Sequence, residues 1–191
     1  NVANAVDVRA IACRIKSLTN AGVLVSTGNV YIGSSVLFEC GTYGLSVTGT
    51  GTAVCSGCTI TACVSDGVRF GTGGSTTGLS IFHGNMVTDN GGYGFNFVVA
   101  AANAVMSNNR TRDNASGAFN GGTGWIAATD YGHITLDTGG PTSDYNAPAS
   151  QDYRLIASSP AAGAIQPAYA SPGAHQLAAG GGGGMSRSRT V

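Results

Sequence analysis

The sequence predicts an all-β fold: a short, single-stranded parallel β-helix of about five to six coils, each about 23 residues long. Three observations support this prediction: a repeat of that length, apolar columns when the repeats are aligned, and a composition rich in strand and turn formers. The repeat is marked by a glycine that follows a short polar run and recurs 22 to 27 residues apart. These glycines are Gly22, Gly44, Gly67, Gly94 and Gly117.

When the repeats are aligned on these glycines, most aligned positions hold residues of one chemical type. The residues one and three positions after the glycine alternate as in a strand with one face inward. The first of these columns holds Val23, Leu45, Val68, Phe95 and Ala118, and the second holds Val25, Val47, Phe70, Phe97 and Asn120. Seven positions before the glycine stand Ile15, Leu37, Ile60, Val87 and Arg110, and twelve before it stand Ala10, Ile32, Cys55, Phe82 and Val105.

The repeated glycine predicts a turn that requires positive φ, which glycine adopts without a Cβ clash. The longest spacing is explained by a Gly- and Thr-rich loop over residues 71–78 that bulges from one coil. The last aligned unit is less apolar, with Arg110, Ala118 and Asn120 in core columns. We therefore expect the regular stack to end near residue 125, with residues 130–136 forming one more strand or a divergent coil.

The composition narrows the classes of function. Only 9% of residues are charged and the formal net charge is zero, whereas a typical domain carries about 25% charged residues. We expect no nucleic acid and no membrane as partner, because such a surface offers no electrostatic attraction to either. No signal peptide or initiator Met is present, which predicts a processed chain or part of a longer product. Five cysteines without a secretory signal favour reduced thiols and assembly in a cytoplasm.

The repeated sequence pattern of residues 13–119 resembles that of the pectate-lyase-like right-handed parallel β-helix superfamily. In this pattern a Cys or Asn precedes an aliphatic residue, and an Asn or Asp later precedes the Gly and another apolar residue. Residues 150–176 resemble the segment that closes many of its members. The resemblance implies a right-handed helix. It does not imply one activity, because the superfamily includes lyases, hydrolases, adhesins and viral structural proteins.

Cysteines and asparagines recur in two further columns. Cys13, Ser35 and Cys58 share one column and Cys40 and Cys63 share the other. By count these cysteines match a zinc site, but the register favours small side chains stacked inside the coils, so we predict no metal and no cofactor. Asn85 and Asn108 are expected to continue the first column, and Asn90 and Asp113 the second. Such stacked polar side chains predict hydrogen-bonded ladders between coils.

Carboxylates and basic residues show no catalytic pattern. The sugar-cleaving enzymes of the superfamily use neighbouring Asp residues, with calcium in the lyases or as an acid and base pair in the hydrolases. Asp66, Asp89 and Asp113 fall one, five and four residues before the repeat glycine, so we expect them on different faces. The tripeptide at residues 14–16 matches a polygalacturonase substrate-binding motif but lies in the wrong order along the chain, and we interpret it as coincidence.

We divide the chain into a parallel β-helix at residues 1–136, an irregular capping or wrapping segment at 137–179, and a Gly-rich tether with an Arg-bearing arm at 180–191. The open backbone edge at the end of a β-helix attracts such a segment. The expected partner-binding residues are aromatic anchors and arm arginines: Trp125, Tyr145, Tyr153, Tyr169, Arg187 and Arg189.

The sequence leads us to expect a non-enzymatic bacteriophage virion protein, either a capsid decoration (cement) protein or a fibre module. Its partners would be copies of itself, as a homotrimer, and major capsid or other virion proteins. One alternative is a carbohydrate-binding or polysaccharide-degrading β-helix, such as a tailspike-like depolymerase or lyase, for which carbohydrate is the partner. Another is a cell-surface adhesin. Either alternative would act outside the cell.

Overall fold

The computed structural model describes residues 7–71, 78–98, 104–121 and 150, together with the backbone of four short strands between residues 130 and 155. Three parallel sheets form the wall of a β-helix, and each coil contributes one strand to each sheet. Sheet A contains β1 (Asp7–Ile11), β4 (Asn29–Gly33), β7 (Thr52–Ser56), β10 (Ser80–His83), β13 (Ala104–Ser107) and β16 (Asp130–Tyr131). Sheet B contains β2 (Arg14–Lys16), β5 (Val36–Phe38), β8 (Thr59–Thr61), β11 (Met86–Thr88), β14 (Arg110–Arg112) and β17 (Ile134–Thr135). Sheet C contains β3 (Val23–Val25), β6 (Leu45–Val47), β9 (Val68–Phe70), β12 (Tyr93–Phe97) and β15 (Gly117–Gly121).

The parallel β-helix predicted from the repeat is therefore confirmed. Strands β16 and β17 add one more turn to sheets A and B by pairing in parallel with β13 and β14. Farther along the chain, β18 (Tyr145–Ala147) and β19 (Asp152–Leu155) form an antiparallel pair. No helix in these ranges is long and apolar enough to cross a membrane.

Each coil turns the corner between sheets A and B on a single residue with positive φ, and every coil after the first does the same at the corner after sheet B. The corner between sheets A and B has Ala12, Ser34, Gly57, Gly84 and Asn108, and the corner after sheet B has Glu39, Ala62, Asp89 and Asp113, all with φ from 47° to 63°. One left-handed residue redirects an extended chain sharply, at a steric cost for residues that carry a Cβ. These corners thus lie outside the glycine column from which the sequence predicted them.

The repeat glycines serve a different purpose. Gly22, Gly44, Gly67 and Gly94 do not have positive φ. A Cβ on Gly44 would lie 2.3 Å from Ile60 Cγ2 and 2.8 Å from the carbonyl oxygen of Gly67 in the next coil. The prediction of a positive-φ turn was wrong for these four glycines. Glycine stands there because the next coil lies too close for a side chain.

The fifth predicted repeat glycine, Gly117, is one residue out of register. It pairs with Tyr93 and has φ of 112°, so Ala118 is the residue beside Gly94. In the described part of the chain β15 is the last strand of sheet C, so no described strand of that sheet lies beyond Ala118.

The same one-residue shift corrects every column of the last coil. Met106, rather than Val105, pairs with Phe82, and Thr111, rather than Arg110, pairs with Val87. Phe119 and Gly121 take the core positions that the alignment gave to Ala118 and Asn120. The last coil is therefore more apolar than the alignment predicted, because Met106 and Phe119 pack at positions thought to hold smaller or polar residues.

The interior of the helix is filled by the inward side chains of all three sheets. Ile32, Leu37, Leu45 and Ile60 are fully buried. Toward the later coils phenylalanine dominates, with ring centroids 5.7–6.4 Å apart among Phe70, Phe82, Phe95, Phe97 and Phe119. Burial of each such side chain contributes about 1.5–3 kcal/mol, so the apolar columns stabilise the stack.

Candidate functional site

The outward side of sheet A, called here the sheet A face, is an amphipathic surface that extends over adjacent strands of the helix wall. Its central row crosses five adjacent strands in register and consists of Arg9, Tyr31, Val54, Ile81 and Val105. Tyr31 is 38% exposed, and Val54, Ile81 and Val105 are half-buried. Because alternate residues of these strands point into the core, this row points outward. The face therefore presents an apolar strip along the helix axis.

Polar side chains border the strip on both sides. On one side Thr52 donates a hydrogen bond to the Asn29 side-chain oxygen, and Asn29 Nδ2 donates to Asp7 Oδ1 at 3.0 Å. On the other side His83 Nδ1 lies 2.7 Å from Ser107 Oγ. These groups bond to one another from coil to coil. A partner that covers the strip would not have to replace all of their hydrogen bonds.

One end of the sheet A face contains a shallow depression of about 330 Å³. Tyr31 and Arg9 lie in its lining beside the carboxylate of Asp7 and the amide of Asn29. The complete lining is Asp7, Val8, Arg9, Asn29, Val30, Tyr31, Thr52 and Val54. An exposed aromatic ring among polar groups can bind an amphipathic ligand.

Sheet C carries a smaller polar cluster on its outward side. The Arg69 guanidinium lies 4.8 Å from the Tyr43 ring centroid and donates to the Tyr43 hydroxyl. In the next coil Asn96 donates to Asp66 Oδ2 at 2.8 Å, and Asn120 donates to Asn96 Oδ1 at 3.1 Å. The carboxylate of Asp66 also accepts the backbone N–H of Tyr93 at 2.8 Å. Asp66 is buried and serves to hold this loop.

The positions of two carboxylates differ from the sequence prediction. Asp89 and Asp113 were expected on different faces, but the pairing of Thr88 with Arg112 places them in one corner column. The error follows from the same one-residue shift of the last coil. Asp113 Oδ2 accepts from Arg112 Nε at 2.7 Å, and Glu39 pairs with Lys16 across coils. Asp113 and Glu39 are thus each paired with a basic side chain of the same chain.

Comparison with known protein families gives the same architecture. The model of the right handed beta helix region matches residues 1–129. The chain belongs to the right-handed β-helix family. No curated protein and no solved structure gave a significant match.

The cysteines of this right-handed β-helix are stacked inside the coils. All five are free, and four of them, Cys40, Cys55, Cys58 and Cys63, are buried. Hydrogen bonding to the Cys40 thiol, reinforced by burial, raises the pKa of the Cys63 thiol. Hydrogen bonding to Cys58 and burial likewise raise the pKa of Cys55. Within the described ranges no group of three or more His, Cys, Asp or Glu is placed to hold a metal ion.

The asparagine ladders of the right-handed β-helix are present, with two members corrected. Asn109, rather than Asn108, bonds to Asn85, and Asn114, rather than Asp113, bonds to Asn90, each at 2.8 Å. Asn109 and Asn114 repeat the Asn85 and Asn90 pair in both residue type and spacing, whereas Asn108 and Asp113 repeat it in spacing alone. The matching pair of asparagines could have revealed this register.

The predicted partner-binding residues lie mostly outside the described residues. This holds for Trp125, Tyr169, Arg187 and Arg189, while Tyr145 and Tyr153 lie in β18 and β19, where only the backbone is described. Sequence reasoning missed the sheet A face because it followed the inward columns alone. The positions between them, from Arg9 to Val105, form a second row with its own chemistry.

Proposed function

We propose that this protein is a non-enzymatic structural subunit that binds neighbouring protein subunits through its sheet A face. In the form that we favour, it is a capsid decoration (cement) protein or fibre module of a bacteriophage virion and is assembled in the host cytoplasm. Its partners are copies of itself, in a homotrimer, and the major capsid or other virion proteins. The sheet A face, an apolar strip between satisfied polar ladders, is the observation that carries this proposal.

The strip suits protein contact by its chemistry. Removal of apolar surface from water contributes about 25 cal/mol per Å², and Val54, Ile81 and Val105 provide such surface in one line. The polar borders are bonded internally. Covering them therefore leaves few donors or acceptors without a partner, which is the usual penalty for burying polar groups.

The size of the face indicates weak contacts that are repeated many times. Five strands at about 4.8 Å spacing and five residues at about 3.3 Å give roughly 400 Å² of flat area. A stable pairwise interface buries about 800 Å² on each partner. One sheet A face alone falls short of that, but a subunit held at several points in a lattice gains from multivalency.

Among the residues whose side chains the structure describes, the arrangement of the carboxylates favours a non-catalytic role. Asp7, Glu39, Asp66 and Asp113 each bond to a side chain or backbone group of the protein, and Asp89 is also engaged. A carboxylate that serves as acid or base must be within reach of the substrate proton. Groups that hold corners and loops are poorly placed for that task, so we assign no enzymatic activity and no cofactor.

The first test is the stoichiometry of this chain in particles purified from its native source, measured by mass spectrometry. Hundreds of copies in fixed ratio to a major shell protein are expected of a decoration protein. A handful of copies at a tail, or none in any particle, would overturn the cement assignment.

A second test addresses the face itself. The variant Ile81→Asp places a charge in the strip, whereas Val64→Asp places one at a corner where the valine is already 69% exposed. We expect Ile81→Asp to abolish rebinding to particles stripped of this protein and Val64→Asp to retain it. Equal rebinding by the two variants would show that the sheet A face is not the contact.

Carbohydrate binding is the second candidate, favoured by the depression around Tyr31. The partly exposed ring beside Asp7, Arg9 and Asn29 offers a stacking surface with hydrogen-bonding groups at its edge. Saturable binding of a host polysaccharide that is lost in Tyr31→Ala would favour this function. Release of reducing ends from the polysaccharide would further indicate a depolymerase and would contradict the non-enzymatic role.

A further inference from the structure

The outward side of sheet C, called here the sheet C face, carries a row to which each strand contributes one residue. The row follows the pairing of the five strands and consists of Leu24, Ser46, Arg69, Asn96 and Asn120. The neighbours of these residues on β3, β6, β9 and β12 belong to the core, so the row faces outward. Arg69 and Asn96 are half-buried and Asn120 is exposed, whereas every residue of β5, β8, β11 and β14 in sheet B is buried. Sheet C thus offers an accessible polar row, which these four strands of sheet B do not.

The guanidinium of Arg69 has donors that the described residues do not use. It lies 4.8 Å from the Tyr43 ring centroid, and its Nη1 donates to the Tyr43 hydroxyl. Its Nε is buried and has no hydrogen-bond partner, and no hydrogen bond joins Nη2 to a described residue. Because Nε and Nη2 lie along the same edge of the planar group, that edge keeps two parallel donors.

The charge of Arg69 is also unmatched within this cluster. Asp66, the carboxylate of the cluster, accepts the backbone N–H of Tyr93 and the side-chain amide of Asn96, each at 2.8 Å. An arginine fork pairs with a carboxylate through two parallel charge-assisted hydrogen bonds. The Nε and Nη2 edge is therefore complementary, in charge and in geometry, to a carboxylate that Asp66 does not supply.

We propose that the sheet C face binds an extended acidic segment of a neighbouring protein subunit, with a carboxylate of that segment on the Nε and Nη2 edge of Arg69. The inference rests on the proposed role as a structural subunit and names the chemistry of a second partner surface. The sheet A face would supply apolar contact, and the sheet C face would add a charged contact that selects the partner.

Asn120 gives the site a second point of contact. Its Nδ2 donates to Asn96 Oδ1 at 3.1 Å, which leaves its own Oδ1 to accept a backbone N–H of the segment. Asn120 lies two strands beyond Arg69, a separation of roughly 10 Å that about three extended residues span. The guanidinium already covers one face of the Tyr43 ring, so that face offers no stacking surface for a sugar.

Titration of the full-length protein with a capped Glu-Thr repeat peptide tests the proposal, with a Gln-Thr peptide of the same length as the uncharged probe. By calorimetry at low ionic strength, we expect the Glu-Thr peptide to bind at least about tenfold more tightly, because only it can form the charge-assisted pair. The Nε–H resonance of Arg69 in isotope-labelled protein should shift on binding. Equal affinity for the two peptides, or an unmoved Arg69 resonance, would overturn the proposal.

Three variants separate binding from a structural role. Arg69→Gln should weaken binding of the Glu-Thr peptide at least about tenfold, whereas Arg14→Gln, the same change of charge at an exposed position of β2, should retain it. Tyr43→Phe keeps the ring and frees Nη1, so binding should be unchanged or tighter. A loss in Tyr43→Phe as large as that in Arg69→Gln would show that the pair is only a structural brace and would overturn the proposal.

The identity of the partner is tested with an acidic polysaccharide as a third probe. Tighter binding of the polysaccharide than of the Glu-Thr peptide would overturn the assignment to a protein segment. The titration needs no particle and does not involve the sheet A face. It can therefore fail while rebinding to stripped particles succeeds, or succeed while rebinding fails, so the two proposals fall separately.

Discussion

Asn109 Oδ1 accepts two hydrogen bonds from Asn85, one from its side-chain Nδ2 at 2.8 Å and one from its backbone N–H at 3.0 Å. Asn85 Oδ1 in turn accepts the backbone N–H of Cys58, one coil earlier, at 2.9 Å. Both asparagines are fully buried. Each amide therefore satisfies backbone groups at the corner between sheets A and B that no strand pairing reaches.

Asn85→Ala should lower the free energy of unfolding by about 2–4 kcal/mol, because it leaves buried groups of Cys58 and Cys55 without their partners. Asn120→Ala is the matched control. Its amide is exposed and bonds only to Asn96, so a change within about 0.5 kcal/mol is expected. Urea unfolding of the two variants measures both values, and equal effects would show that the ladder adds nothing beyond a surface bond.

Gly44→Ala should destabilise the fold by about 1–3 kcal/mol through overpacking, since its Cβ would meet Ile60 and the next coil. Gly57→Asn tests the corner glycines instead. Gly57 has φ of 61°, and a Cβ there would make only an ordinary contact, 3.9 Å from Ser34 Oγ. Asn108 occupies the equivalent corner, so the loss should stay below about 1 kcal/mol. A larger loss for Gly57→Asn than for Gly44→Ala would contradict the separation of the two glycine roles.

Ala62→Gly should leave stability unchanged or raise it by up to about 1 kcal/mol, because Ala62 has φ of 54° and is exposed. Ala53→Gly, on β7 in the core, should lower stability by about 1 kcal/mol or more. Thermal unfolding of both variants checks the pair. Destabilisation by Ala62→Gly as large as that by Ala53→Gly would remove the argument for strain at the corner.

Iodoacetamide at about pH 8.5, near the pKa of a free thiol, should label Cys13 in the folded protein and leave Cys40, Cys55, Cys58 and Cys63 unlabelled. Thiolates are the reactive form, and only Cys13 is partly exposed. Rapid labelling of any buried cysteine under native conditions, by peptide mass spectrometry, would contradict the closed core.

In each buried thiol pair, hydrogen bonding lowers the pKa of one member, Cys40 or Cys58, and raises that of the other, Cys63 or Cys55. The raised pKa values of Cys55 and Cys63 predict a dependence of stability on pH at alkaline pH. Above about pH 8.5 an unfolded thiol loses its proton, whereas these two retain theirs in the folded chain. Their contribution is thus fully present below that pH, and the free energy of unfolding should fall as the pH rises above it. Urea unfolding at pH 7 and pH 9.5 measures the fall, which should be smaller in the Cys55→Ala/Cys63→Ala double variant. An equal fall in that variant would assign the effect to other groups.

The sequence was sufficient to predict the coil length, the inward-facing columns of the first four coils and the stacking of Cys40 on Cys63. It succeeded because a residue that faces the interior meets the equivalent residue of the next coil, so one chemistry recurs at one spacing. The candidate site was harder to predict from the sequence. Tyr31 and Ile81 lie between core positions, and only the register shows that they form one row.

The sequence by itself determined that this protein is a β-helix, because apolar periodicity and turn residues report local and repeated requirements of the backbone. Only the tertiary structure decided why Gly44 and Gly67 must be glycine, where the last coil shifts by one residue, and that sheet B is buried on both sides. These features depend on distances between coils and on what lies over a sheet. Such distances arise from packing in three dimensions, which a repeat along the chain does not encode.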